Sequence, residues 1–145
     1  MPFEFVGDIL IEGGKIFEVL PSIEINVQSC EAIDVRGDIV IPGFVDTHRH
    51  TWQAPLRYVG TDWTISQYVE AMFRRFGLNY TPEDTYTALR LGIAETIEAG
   101  ITQLFDWNHN PLSPAHADAV IQAHRDLYQV PLIRTRAPIG AIRWT

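Results

Sequence analysis

Hydrophobic and polar positions alternate in short runs as far as residue 41 and recur at helical spacing thereafter, so the pattern changes once along the chain. Asp8-Ile9-Leu10-Ile11 and Lys15-Ile16-Phe17-Glu18-Val19-Leu20 flank Gly13-Gly14, the signature of a hairpin, because two adjacent glycines accept the positive φ that a tight two-residue turn demands. Ala32-Ile33-Asp34-Val35 and Asp38-Ile39-Val40-Ile41, separated by Arg36-Gly37, predict a second strand pair. Residues 1–42 are therefore expected to be an all-β segment. From residue 43 to 145 the order becomes strand, helix, strand, helix, the grammar of a parallel sheet with crossover helices, so the fold class is α/β.

Phe44 to Thr47 is the first predicted strand of this second part. A helix over Thr64 to Phe76 carries Ile65, Tyr68, Val69, Met72 and Phe76 on one face. The next helix is better marked. Thr81 is an N-cap, Pro82 suits the first helical position, and Asp84 stands where a capping-box acid bonds back, although Glu or Gln is commoner there. Tyr86, Leu89, Ile93 and Ile97 form its apolar stripe, Gly100 closes it, and Ile101 to Asp106 follows as the second strand. Ser113-Pro114 opens a third helix with Ala117, Val120, Ile121, His124 and Tyr128 on one face, which makes His124 a core histidine rather than a ligand. His116, in the first turn of the same helix, is expected to be exposed and needs no function.

The chemistry concentrates at the end of the first strand. In extended chain alternate side chains share a face, so His48 and His50 project together while Arg49 points away. Imidazole is a common ligand of zinc and suits iron and nickel, which makes His-x-His at a strand end half of a metal site. On spacing alone, two histidines packed at a strand end is an equally good reading. The net charge of −7 with 11 scattered Lys and Arg argues against a nucleic-acid surface or an anionic-membrane patch, and small molecules are the expected partners. No basic leader precedes an apolar run and no stretch is apolar for long enough to span a bilayer, so the expected location is cytoplasmic. The lone Cys30 lies in a polar stretch away from the histidines and receives no role.

The run Ile41-Pro42-Gly43-Phe44-Val45-Asp46-Thr47-His48-Arg49-His50, preceded by the Gly13-Gly14 hairpin, resembles the start of a metal-dependent amidohydrolase. Trp52-Gln53, Leu56-Arg57, Asp62-Trp63 and Glu95-Thr96-Ile97-Glu98-Ala99-Gly100-Ile101-Thr102 resemble the cytosine-deaminase-like branch, which includes aminohydrolases and chlorohydrolases of nitrogen heterocycles. The likeness runs from about Gly7 to Leu127. It implies a (β/α)8 barrel beside a small β-sandwich, with working residues at the C-terminal ends of the barrel strands. On that basis residues 1–42 are the sandwich segment and residues 43–145 the incomplete, N-terminal part of the barrel.

By the same resemblance His48 and His50 are metal ligands, the ion being divalent, zinc by default and iron next. The family completes its site with a histidine from the fifth strand, an aspartate from the eighth, and proton-shuttling glutamate and histidine residues, all expected beyond residue 145. Gln53, Asp106 and His109 are the candidate substrate contacts, with Trp107 and Arg57 nearby; loop and turn positions are the plainer alternative for each. Trp52 and Trp63 read as packing residues. The implied reaction is hydrolysis at a carbon bearing an amine or another leaving group on a nitrogen heterocycle, a carbon–nitrogen bond other than a peptide bond, and most simply a deamination. Val130 to Pro138, with two arginines and two prolines, fits a third barrel strand poorly. The expectation is thus a truncated hydrolase. The alternative is an inactive fragment, or a non-catalytic partner that associates through its open sheet edge with a second copy or with a complete subunit.

Overall fold

The computed structural model describes residues 6–24, 31–128 and 139–143. It contains β1 (Asp8–Glu12), β2 (Lys15–Leu20), β3 (Glu31–Asp34), β4 (Phe44–Arg49), α1 (Ile65–Ala71), α2 (Pro82–Glu98), β5 (Ile101–Asp106), α3 (Pro114–Tyr128) and β6 (Ile139–Arg143). The chain is mixed α/β. It divides into two compact units, Met1–Pro42 with Ile133–Thr145, and Gly43–Leu132.

The first unit is a four-stranded sheet in the order β2-β1-β6-β3. β1 and β2 form the predicted hairpin, with Gly13 and Gly14 both at positive φ (58° and 77°) in the turn. This is the left-handed backbone for which the sequence supplies two residues without Cβ. β6 runs antiparallel to β1 and parallel to β3, pairing the edge that β2 leaves open. The sequence pattern groups these residues with the second part of the chain, whereas the structure pairs them in the sheet of the first unit. The second hairpin is absent: β3 pairs with β6, and Asp38 to Ile41 is not a strand. The cause is local. The Arg36 guanidinium and backbone N–H both donate to the Asp34 carboxylate, holding its pKa down to about 2, and the chain turns at Gly37 (φ 89°). The expected third strand at Val130 to Pro138 lies outside the described residues.

In the second unit β4 and β5 are parallel neighbours, with α1 and α2 in the connection between them. α2 begins as its sequence demands. Thr81 Oγ1 accepts the Asp84 N–H, the Asp84 carboxylate accepts the Thr81 N–H, and Pro82 occupies the first turn. These bonds hold the Asp84 carboxyl below its ordinary range. At the other end Gly100 takes φ 76° and its N–H returns to the Ile97 carbonyl. α1 is shorter than predicted. It is capped by Thr64 with Gln67 and gives way after Ala71 to a wider π turn, Met72–Phe76, and then a tight 3₁₀ turn, Gly77–Asn79. Met72, where the wider turn begins, is buried, while Ile65 at the start of α1 stands in solvent.

The core is Trp52, Met72, Leu89, Ile93 and Ala123, with Tyr68, Phe73, Tyr80, Val120 and Leu127 packed around it. Trp52 sits edge-on to Tyr80 with ring centroids 5.5 Å apart, a favourable quadrupole arrangement. α3 is turned relative to its predicted face: Ala123 is fully buried and Ile121 is exposed. His116 is buried rather than exposed. Its Nε2–H donates to the Tyr80 carbonyl (2.9 Å) and the Ser113 hydroxyl donates to Nδ1 (2.7 Å), which ties the start of α3 to the chain entering α2.

The short 3₁₀ segment after the histidines, Thr51–Leu56, lies directly on α2, and Gly92 is what lets it approach. A Cβ at Gly92 would stand 2.6 Å from the Thr51 carbonyl oxygen and 3.1 Å from Ala54 Cβ. Gly to Ala inside a helix ordinarily stabilises by about 0.5–1 kcal/mol. Here Gly92→Ala is expected to destabilise instead, by about 1–3 kcal/mol, because backbone must move to relieve the overlap. Thermal unfolding reads the sign: a raised midpoint would contradict this packing.

Candidate metal centre

β4 delivers its last residues to the C-terminal end of the strand pair. His48 is in the strand and His50 is the first residue beyond it, with φ −105° and ψ 79°. Their rings meet edge-on with centroids 5.2 Å apart. Arg49 goes the other way, as alternation requires, and donates from Nη2 to Glu95 Oε2 on α2 at 3.1 Å. Arg57 Nη1 lies 2.8 Å from the other oxygen of Glu95, an ion pair without hydrogen-bond alignment. Glu95 thus joins the middle of the His-x-His run to the loop that follows it.

β5 and the residues after it supply the rest. The Trp107 carbonyl lies 2.8 Å from His50 Nδ1; a carbonyl can only accept, so Nδ1 carries the proton and Nε2 presents a lone pair. The indole of Trp107 stacks on His48, centroids 5.1 Å apart at 27°. The His109 ring is 4.4 Å from that of His50 and edge-on to Phe73 at 4.9 Å. His109 is held below its ordinary pKa, first by desolvation and then by the like charge of His50, against an opposing pull from Asp106; its neutral form is favoured.

Asp106 is nearly buried. Its Oδ1 accepts the Thr51 N–H at 3.2 Å and its Oδ2 lies 3.0 Å from His124 Nε2, so it binds the end of β5 to the chain after His50 and to α3. His124 is half-buried, engaged with this carboxylate. The Gln53 side chain exchanges hydrogen bonds with the Tyr68 hydroxyl at 2.8–3.0 Å. Both Gln53 and His50 line a cleft of about 350 Å³, together with Arg49, Arg57, Trp63 and Glu95.

The structure therefore gathers His48, His50, His109 and Trp107 at one strand end, while Asp106 and Gln53 are engaged with neighbouring elements. Among the described residues no group of three or more His, Cys, Asp or Glu side chains is placed to hold a metal ion. The histidine pair nonetheless suits one. Two imidazoles on a tetrahedral ion with Zn–N of about 2.0–2.1 Å have ring centroids roughly 5 Å apart, and the separation here is 5.2 Å. The donation from His50 Nδ1 to a carbonyl is the outer support that metal-binding imidazoles ordinarily receive. Sequence reasoning missed Glu95 as a partner of Arg49. Their separation of 46 residues carries no local signal, although Arg49, facing opposite to the histidines, had to be met by whatever packs behind the strand.

The second unit is thus an α/β unit in which a parallel strand pair joined by helices carries two histidines at the end of its first strand. The chain belongs to the Amidohydrolase family, whose pattern it matches over residues 39–136. It is similar to 5-methylthioadenosine/S-adenosylhomocysteine deaminase of Caldicellulosiruptor saccharolyticus, with 35% identity over 69% of this chain and 24% of that protein. Proteins of the same description from Bacillus cereus and Bacillus thuringiensis share 30% and 29% identity over 80% of this chain and 26% of theirs. The chain thus spans about a quarter of the length of the curated relatives it matches. No solved structure matches it significantly. Among the described residues no helix is long and apolar enough to cross a membrane.

Proposed function

We propose that this chain is the opening part of a metal-dependent deaminase of a nitrogen heterocycle, and that it contributes the first two metal ligands, His48 and His50. The observation that carries this reading is the pair itself: adjacent edge-on imidazoles at the end of a parallel strand, one with Nδ1 committed to a carbonyl so that Nε2 is free to ligate. β4 and β5 are read as the first two strands of a (β/α)8 barrel, and the sheet of the first unit as part of a β-sandwich. The relatives' names point to a purine nucleoside or its sulfur-linked derivative as the heterocycle. Zinc is the ion we assign, with iron next, since two imidazoles do not distinguish them.

A divalent ion held there supplies Lewis acidity, which draws the pKa of water down toward about 7 and makes hydroxide available at neutral pH. The chain's own residues do the rest of what this segment offers. Glu95 anchors Arg49 and Arg57, fixing the strand end and the loop beyond it. His109, whose neutral form is favoured, stands beside His50, and Gln53, bonded to the Tyr68 hydroxyl, lines the adjoining cleft. Asp106 holds the frame between β5, α3 and Thr51.

The test is a chimera in which this chain replaces the opening quarter of the Bacillus cereus relative. It is expected to release ammonia from 5-methylthioadenosine, and to lose that activity in the His50→Ala form, whereas the 145-residue chain alone gives no turnover. A folded chimera whose activity is indifferent to His50→Ala would overturn the proposal, as would metal-dependent turnover by the chain alone with His48→Ala making no difference.

A further inference from the structure

Four consecutive residues of the histidine-bearing segment are each fixed by one residue of the neighbouring strand end. The Trp107 Nε1–H donates to the Thr47 carbonyl (3.1 Å), its indole stacks on the His48 ring (5.1 Å between centroids, 27°), its N–H donates to the Arg49 carbonyl (2.8 Å), and its own carbonyl accepts from His50 Nδ1 (2.8 Å). The backbone contacts continue the parallel pairing of β4 and β5. The indole contacts do not, because they depend on what side chain stands at residue 107.

We infer that Trp107 is the positioning residue of the histidine pair: its carbonyl sets the tautomer of His50 and its indole sets the ring plane of His48. This rests on the metal reading above and deepens it. An imidazole that ligates a cation becomes electron-poor, and the electron-rich face of an indole stabilises a ring in that state, as it does a full cation. A stacked ring has also surrendered its rotational freedom before the ion arrives, so less is lost on binding. Trp107 is half exposed, so its place against His48 is not one the hydrophobic core imposes. It acts through the histidines and makes no bond to the ion.

Replacing the side chain separates the two functions, since the carbonyl survives any substitution. Trp107→Leu keeps apolar bulk without an aromatic face; Trp107→Phe keeps an aromatic face without the Nε1–H. Zinc affinity of the 145-residue chain is measured by calorimetry, with ring resonances of His48 and His50 followed by NMR in the metal-free protein. Trp107→Leu is expected to weaken zinc binding by roughly 2–30-fold, the worth of an aromatic face against a cationic ring. The same variant should move the His48 ring protons out of the indole ring current while leaving His50 in its Nδ1–H tautomer. Trp107→Phe should stay closer to wild type on both counts. Equal affinity of Trp107→Leu and wild type, with His50→Ala still abolishing binding, would overturn this inference and leave the metal reading standing. Zinc binding indifferent to both His50→Ala and Trp107→Leu would sink the metal reading and the inference together. Should Trp107→Leu fail to fold, Trp107→Phe decides: loss of the His48 ring shift despite the retained aromatic ring contradicts the stacking role.

Discussion

His50→Ala is expected to abolish zinc binding by the 145-residue chain, and His48→Ala to do the same. Each ion–imidazole bond is a large fraction of what a two-ligand site can offer, so removing one ligand costs more than the roughly 10–100-fold that follows loss of a supporting partner. The fold should survive. His48 is exposed and His50 half-buried, neither belongs to the hydrophobic core, and the backbone pairing of β4 with β5 does not require their rings. Circular dichroism unchanged beside lost calorimetric binding is the expected result. Two further residues calibrate it. His116→Ala and His124→Ala remove histidines engaged with Tyr80 and Asp106 respectively; both are expected to leave zinc affinity within a few-fold of wild type while lowering stability by about 1–3 kcal/mol, the cost of buried groups losing a hydrogen-bond partner.

The second large effect is on folding. Trp52 is fully buried, packs edge-on to Tyr80 and against Phe73, and closes the space between the 3₁₀ segment and α2. Trp52→Ala is expected to cost about 3–5 kcal/mol, which combines lost transfer free energy with the cavity left behind. Domains are commonly stable by about 5–15 kcal/mol, and among the described residues Trp52 is the largest of the five buried side chains in the core cluster. The variant should therefore lose its near-ultraviolet circular dichroism and bind a hydrophobic dye at room temperature. Trp52→Phe is expected to cost much less, because it keeps the aromatic contacts and removes an indole N–H that finds no hydrogen-bond partner. A Trp52→Ala protein melting within a few degrees of wild type would show that the core does not rest on this residue.

What the sequence made legible was whatever is decided by neighbours in the chain. Gly13-Gly14 between alternating runs specified the first hairpin, and Thr81-Pro82 with Asp84 specified the start of α2, because both are settled within four residues. The period of two placed His48 and His50 on one side and Arg49 on the other. The failures share a cause as well. Asp38 to Ile41 has the composition of a strand, yet β3 found its partner more than a hundred residues away in β6. α1 ended early because its burial is dictated by where Met72 meets Trp52 and Gly77, not by periodicity. Helical position alone predicts an exposed His116, whereas the Tyr80 carbonyl that claims it comes from another part of the chain. The candidate site divides the same way. The histidine pair and His109 are visible as strand-end residues, but the Glu95 and Trp107 contacts are products of packing across 46 and 57 to 60 residues.

The most direct test of the central claim is nitrogen-15 NMR of the histidine rings during zinc titration. His50 should keep its Nδ1 proton and shift at Nε2, His48 should shift at one ring nitrogen, and His116 and His124 should remain still. Zinc that leaves both His48 and His50 unperturbed, or that shifts all the histidines alike, would contradict the assignment of this strand end as a metal centre.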